Sequence, residues 1–315
     1  MSANVSLQAH APQSANGNRL DQVAAELFPE YSRARLQTWI KEGSLLVDGR
    51  QLKAKAKLCG GEDIRVEAEL ASEGDWVAQD IPLDIVFEDD DLLVINKPAG
   101  LVVHPAAGNW DGTLLNGLLH YLPGQANLPR AGIVHRLDKE TSGLMVVAKT
   151  LVAQAHLVDQ LQARSVSRKY RAIVQGEVKK EGEVEADIGR HPTQRVKMAV
   201  VRGGGKYALT HYTICEEFDG FTSLRLQLET GRTHQIRVHM AHINHPLVGD
   251  PVYGRPIPST RIRGNEGLRA VAEFPRQALH AESLSLIHPV TGKEVGWKVP
   301  LANDFQALLM HLREM

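Results

Sequence analysis

His135, Arg136 and Asp138 fall within four residues in the stretch Ala131-Gly132-Ile133-Val134-His135-Arg136-Leu137-Asp138-Lys139-Glu140-Thr141-Ser142-Gly143, which runs straight into Leu144-Met145-Val146-Val147-Ala148. Both flanking segments read as buried strands, so a carboxylate, a guanidinium and an imidazole are delivered to the edge of a core. An isolated Arg-x-Asp is usually a turn whose Asp caps the next element. The density of functional groups from His135 to Ser142 exceeds what a turn needs. A second dense patch, Thr230-Gly231-Arg232-Thr233-His234-Gln235-Ile236-Arg237-Val238-His239-Met240, predicts a helix entered at Thr230-Gly231. From Thr230 to Arg263 five arginines accompany one carboxylate, Asp250, so this surface should be basic.

Several chemistries compete for these residues. His234, His239, His242 and His245 crowd into twelve residues, but their spacing aligns no third ligand and no HExxH-type glutamate, which argues against a metal. His135-Arg136-Leu137-Asp138 has the wrong order for a kinase catalytic loop. A glycosidase would need a carboxylate pair, for which only Glu140 offers itself. Gly203-Gly204-Gly205 lacks the GK[ST] of a phosphate loop. What remains is covalent or acid/base work by one carboxylate on a nucleic-acid base. Such an enzyme takes the base out of its stack and fills the gap. Arg136 would offer a flat cation for the gap, and a second arginine such as Arg237 would keep a nucleophilic Asp138 ionised.

The elements that must position these groups are legible as two modules. Residues 1–17 hold little to bury and are expected to be disordered. Residues 18–75 form the first module: a helix through Leu20, Val23, Ala24, Leu27 and Phe28, a second helix capped by Ser32 with Leu36, Trp39 and Ile40 on one face, and short strands at Leu45-Leu46-Val47 and Ile64-Arg65-Val66. Residues 76–83 read as a linker and 84–315 as the larger module. There, Asp84–Glu88, Leu92–Asn96 and Lys169–Val174 are strand-like, and further strands are expected around Val184, Val196 to Val201, Ala208 to Cys215 and Ser223 to Leu228. Helices are expected over Thr113 to Leu122, from Leu151 to about Arg164 with Leu151, Ala155, Val158 and Leu161 inward, and after Pro300 with Phe305, Leu308 and Leu309 inward.

Charge is unevenly spread along a chain whose formal net charge is only −1. Seven basic residues between Arg33 and Lys57 meet two carboxylates, while twelve carboxylates between Glu62 and Asp91 meet one arginine. Arg33, Arg35 and Lys41 share one short helix, a basic face suited to phosphate contacts. Cys59 and Cys215 form no CxxC, there is no secretory signal pattern and no apolar run of membrane-spanning length, so a cytoplasmic protein is expected.

The first module resembles the alpha-L RNA-binding domain of small-subunit ribosomal protein four, through Arg19-Leu20-Asp21, Ala25, Ser32-Arg33, Ile40, Gly43 and Val47-Asp48-Gly49. From about Pro82 to Pro300 the chain resembles the RluA-type pseudouridine synthases, through NKPAG, HRLDKETSG, KYRAIV and TGRTHQIRVHM. The resemblance implies an α+β fold, a mixed and mainly antiparallel sheet with flanking helices and a central cleft. It implies Asp138 as catalytic aspartate, Arg136 in the place of the flipped base, Tyr170 as the aromatic against the uracil that handles its C5 proton, and Arg237 as ion-pair partner of Asp138. Ser142 stands where threonine is also common in the family. The resemblance further implies no cofactor and no metal, a monomer, and as partner 23S rRNA or a large-subunit precursor, with uridines of the helix 69 stem-loop as targets. A noncatalytic RNA-binding or ribosome-assembly factor is the alternative.

Overall fold

The computed structural model describes residues 3–29, 31, 33–70, 76–106, 108–194 and 197–315. Ser32, the expected cap, and Val196, the expected start of a strand, lie outside them, as do residues 71–75 before the expected linker. The amino-terminal part comprises β1 (Ala3–His10), α1 (Leu20–Leu27), α2 (Arg33–Glu42), β2 (Leu45–Val47) and β3 (Asp63–Leu70), with strand order β1-β3-β2. The disorder expected for residues 1–17 is not found from Ala3 onward. Val5, Leu7 and Ala9 alternate along β1 and pack on the core made by Leu20, Val23, Leu36, Trp39, Ile40, Leu45 and Ile64. The pattern of two was present among Ser and Gln residues, and pairing to β3 supplies the burial that composition understates.

Fourteen residues after β3 the second sheet begins. Its strands are β4 (Ile85–Glu88), β5 (Leu92–Lys97), β6 (Ser142–Ala148), β7 (Ser167–Gln175), β8 (Gly182–Glu185), β11 (Leu209–Phe218), β12 (Phe221–Leu228), β13 (Leu279–Ile287) and β14 (Glu294–Lys298). A separate hairpin pairs β9 (Ile188–Arg190) with β10 (Met198–Val200). The large sheet runs β4-β5-β6-β13-β7-β12-β11-β8, with β14 paired to β13; among the described residues β6 and β13 form its one parallel pair. The mixed, mainly antiparallel sheet is therefore as expected. The strands after Leu279 were not, because β13 buries His280 and Glu282 among its apolar residues and hides its alternation.

Helices α3 (Leu114–Tyr121) and α4 (Leu151–Gln162) explain why β5 and β6 are apolar on both faces. Leu93, Ile95, Met145 and Val147 join Leu114, Leu115, Leu118 and Leu119 on one side. Leu92, Val94, Leu144 and Val146 join Ala153 and Leu157 on the other. The buried residues of α4 are thus Ala153, Leu157 and Gln160, not the row Leu151, Ala155, Val158 and Leu161, all of which are only partly covered. The expected linker is also more engaged than a linker: Trp76 packs edge-on to His104, Gln79 donates its backbone N–H to Asn116, and Asn116 Nδ2 donates to the Val77 carbonyl. Residues 76–83 strap across α3.

Helix α5 (Gln235–His242) begins five residues later than the sequence predicts. His234 is left-handed, with φ 57°, and cannot be helical. Gln235 replaces the missing helical bonds: its Oε1 accepts from Thr230 Oγ1 and the Arg232 N–H, and its Nε2 donates to the Leu209 carbonyl and Thr210 Oγ1. Helices α6 (Ser259–Ile262), α7 (Glu266–Ala272) and α8 (Asn303–Arg313) close one end, with Phe305, Leu308 and Leu309 buried as expected.

Candidate active site

The stretch 131–141 is not the strand expected before the charged residues. It is a loop held by one bridge between Ile133 and Val147. Along it Leu137 is buried in the core, which turns Arg136 out to solvent and leaves Asp138 at a pocket wall with 18% of its side chain exposed. His135 anchors the loop: its Nε2 accepts the Val146 N–H at 3.1 Å. Burial, aided by the charge of Arg168, pushes its pKa down to about 3, so it stays neutral and acts as a fixed acceptor.

The turn Asp138-Lys139-Glu140 is fastened from two sides. Lys97, 1% exposed, donates to the carbonyls of Pro98 at 2.7 Å, Leu101 at 3.0 Å and Lys139 at 3.0 Å. Burial lowers its pKa to about 7 against the pull of Glu140 and Asp138, while three carbonyls accept its three donors. Arg276 donates to the Glu140 carbonyl and is itself paired with Asp304 at 2.6 and 2.8 Å. After the turn, a Cβ on Gly143 would sit 2.3 Å from the Ala281 carbonyl oxygen, so only glycine lets β6 run this close to β13.

Arg237 projects from α5 to meet Asp138, Nη1 to Oδ2 at 2.9 Å. Its remaining fork is bidentate to Asp250, at 2.7 and 2.9 Å. Asp250 also accepts the Val252 and Tyr253 N–H groups. Burial would raise the Asp250 pKa, but these bonds and the Arg237 charge outweigh it and hold the carboxyl below its usual range. The Arg237 guanidinium is correspondingly held even more firmly protonated, since its two carboxylates outweigh burial. His234 Nε2 lies 4.0 Å from the other Asp138 oxygen, and its Nδ1 is 2.9 Å from the Tyr253 hydroxyl. Desolvation lowers the His234 pKa more than Asp138 raises it, keeping the ring neutral.

Tyr170, on β7 and 5% exposed, lines the same pocket as Asp138, Arg136 and Arg237. Burial is the main cause of its raised pKa, so the phenol keeps its proton near neutrality. The four residues singled out in the larger module therefore converge on one pocket. Those of the smaller module lie on α2, where Arg33 is engaged with the fully buried Asp21, at 2.7 and 3.0 Å, alongside Arg19 and Gln37. Burial would raise the Asp21 pKa, but these donors bring it down to about 2. Arg33 thus locks α1 to α2. Lys41 lines an open surface depression with Arg19, Lys53 and Lys55; Arg35 lies on the same helix.

The four histidines do not converge. His239 is buried between Thr210 Oγ1 and the Ala186 carbonyl, and His245 faces the Gln175 carbonyl. Among the described residues the grouping with metal-like spacing is instead Asp89, Asp91 and His288. There, His288 Nδ1 accepts the Val290 and Thr291 N–H groups, so its Nε2 carries the proton, donates to Asp89 and has no lone pair for an ion.

Residues 91–242 match a family model described as RNA pseudouridylate synthase, and residues 18–64 one described as S4 domain. Over 314 residues the chain is 56% identical to the ribosomal large subunit pseudouridine synthase D of Pseudomonas aeruginosa, covering 100% of this chain and 98% of that one. The chain belongs to the RNA pseudouridylate synthase family. It is also 53% identical over 315 residues to the protein of the same name from Escherichia coli K12, covering 99% of this pseudouridine synthase and 96% of the relative. The solved structure of human RNA Pseudouridylate Synthase Domain Containing 4 aligns with a TM-score of 0.57 at 27% identity, over 73% of this chain and 93% of that one. As a pseudouridine synthase the chain is an isomerase. Asp250 and Arg276 escaped the sequence reading; Asp250 had left one signal, as the lone carboxylate in a stretch of five arginines.

Proposed function

We propose that this enzyme converts uridine to pseudouridine in large-subunit ribosomal RNA, with Asp138 as the catalytic carboxylate and the helix 69 stem-loop of 23S rRNA as the expected target. The observation carrying this reading is the 2.9 Å pair between Asp138 and Arg237 at the wall of a pocket that Tyr170 and Arg136 also line. In the reaction the C1′–N1 bond breaks, the uracil turns, C1′–C5 forms, the C5 hydrogen leaves as a proton and N1 gains one. A carboxylate can start this by attack at C1′ or at C6, and in both cases it must be ionised and aimed. Arg237, itself clamped by Asp250, sets an opposite charge 2.9 Å from the carboxylate and fixes its direction.

Arg136, exposed at the pocket mouth, takes the place of the flipped base in the stack. In this reading Tyr170, at the wall of the same pocket, packs its ring on the uracil and its hydroxyl handles the C5 proton. The basic surface around Lys41, Lys53 and Lys55, with Arg35 on the same helix, supplies phosphate contacts that add affinity without reading sequence. The partner would be 23S rRNA or a precursor of the large subunit, with the protein acting as a monomer and without a cofactor. Tritium release from C5-labelled uridine in 23S rRNA tests the reading. Release is expected; RNA binding with no release would favour a noncatalytic assembly factor.

A further inference from the structure

The pocket of about 70 Å³ that contains Asp138 opens beside a much larger cleft of about 660 Å³. The pocket has room for little beyond one ring, whereas the cleft is large enough for a length of chain. Arg136, Arg168, Gly231 and Arg232 line both. A nucleotide whose base enters the pocket is joined to a neighbour in the cleft by a phosphodiester, and that link must pass these four residues.

Arg168 is unusual among them. It lies on β7 opposite Leu228 and is 7% exposed. Among the described residues its guanidinium makes one hydrogen bond, a long one from Nη2 to the Glu229 carbonyl at 3.4 Å, and its Nε has no partner. Among the described residues no carboxylate pairs with it, whereas the other two buried arginines, Arg237 and Arg276, are bidentate to Asp250 and Asp304. A buried guanidinium without a counter-charge is strongly unfavourable. It persists where a ligand supplies the anion. Gly231 makes the placement possible, because a Cβ there would lie 2.8 Å from Arg168 Nη1. Arg130 and Arg164 continue the basic lining into the cleft.

We propose that Arg168, with Arg232 beside it, binds the phosphodiester that links the flipped nucleotide to its neighbour. This rests on RNA being the substrate. The planar fork of arginine suits a phosphate's paired oxygens. The clamp grips the backbone of the target nucleotide while its base is in the pocket, and so fixes C1′ relative to Asp138.

The test uses an RNA stem-loop carrying one reactive uridine, made either fully ionic or with a neutral methylphosphonate at the linkage on its 5′ or its 3′ side. The intact enzyme should lose about ten- to a hundredfold in kcat/KM at one of the two linkages, the range of a charge-assisted hydrogen bond. Arg168→Met should lose as much with ordinary RNA and lose nothing more from the neutral linkage, while Arg168→Lys should fall between, keeping charge without the fork. Gly231→Ala displaces the guanidinium without removing it and carries the same comparison if Arg168→Met folds poorly. Independent, multiplying losses in these variants would overturn the clamp and leave the proposed activity standing. No tritium release from any RNA by the intact enzyme would sink the activity and the clamp together.

Discussion

One guanidinium, Arg237, holds two carboxylates, and the structure assigns them opposite consequences on substitution. Asp138 contributes one bond at 2.9 Å from a side chain still 18% exposed. In Asp138→Asn an amide oxygen can accept the same N–H, and Arg237 keeps its bidentate bonds to Asp250. The expected loss of stability is within about 1 kcal/mol, the usual size of a single net hydrogen bond. Turnover should vanish, since an amide is no nucleophile. Asp250 is different: it is wholly buried, bidentate, and also accepts two backbone N–H groups. Asp250→Ala leaves the inner side of a buried cation unpaired and should destabilise by about 3 kcal/mol or more. At roughly 2–4 °C per kcal/mol that is a fall in Tm of about 6–12 °C. Calorimetry and tritium release on the two variants, with RNA binding measured alongside, separate the roles. Asp138→Asn melting as early as Asp250→Ala, or retaining turnover, would refute the assignment of Asp138 as the working carboxylate.

Lys97→Met should remove three hydrogen bonds and strand three carbonyls, destabilising by about 2–4 kcal/mol and loosening the Asp138 turn, which denaturant melts and kcat would register. For His135, the folded pKa of about 3 lies below the unfolded value of about 6.5. The unfolded chain therefore binds the extra proton, and stability is fully present above about 6.5 and declines as pH falls toward 3, by up to about 1.4 kcal/mol per pH unit. His135→Gln keeps an acceptor for the Val146 N–H without titrating. Its stability should fall less steeply than the parent's between pH 6.5 and 5, and parallel curves would remove His135 as the cause.

The parts of the site that could be read from sequence were those with a local signature. Arg136 and Asp138 stood out by density, and Tyr170 sat in a strand whose alternation is plain. Strands β5 and β6 were equally legible as short, continuous apolar runs bounded by turns, and helix α3 by the helical spacing of its leucines. Helix α4 sits rotated from its apolar row because Val158 and Leu161 line the open cleft, while the polar Gln160 is buried by its bonds to the Ile287 backbone. Arg168 could not be singled out at all. Nothing in Ser167-Arg168-Lys169 distinguishes a buried unpaired arginine from a solvated one, since the difference is made by Glu229 and Gly231 about sixty residues away. Helix α5 began late because one left-handed residue and one glutamine side chain, both tertiary features, decide where its backbone starts.

The placement of β13 between β6 and β7 has a temporal consequence. The stretch around Asp138 is made early, but Gly143 pairs with Ala281 and the turn is fastened by Arg276, so the strand completing the middle of the sheet is among the last synthesised. Contacts this distant in sequence form slowly and late. The amino-terminal sheet and helices, by contrast, draw their core from within residues 5–68. On a growing chain the basic module can reach its structure while the pocket is still missing its central strand, so the capacity to hold RNA precedes the capacity to alter it.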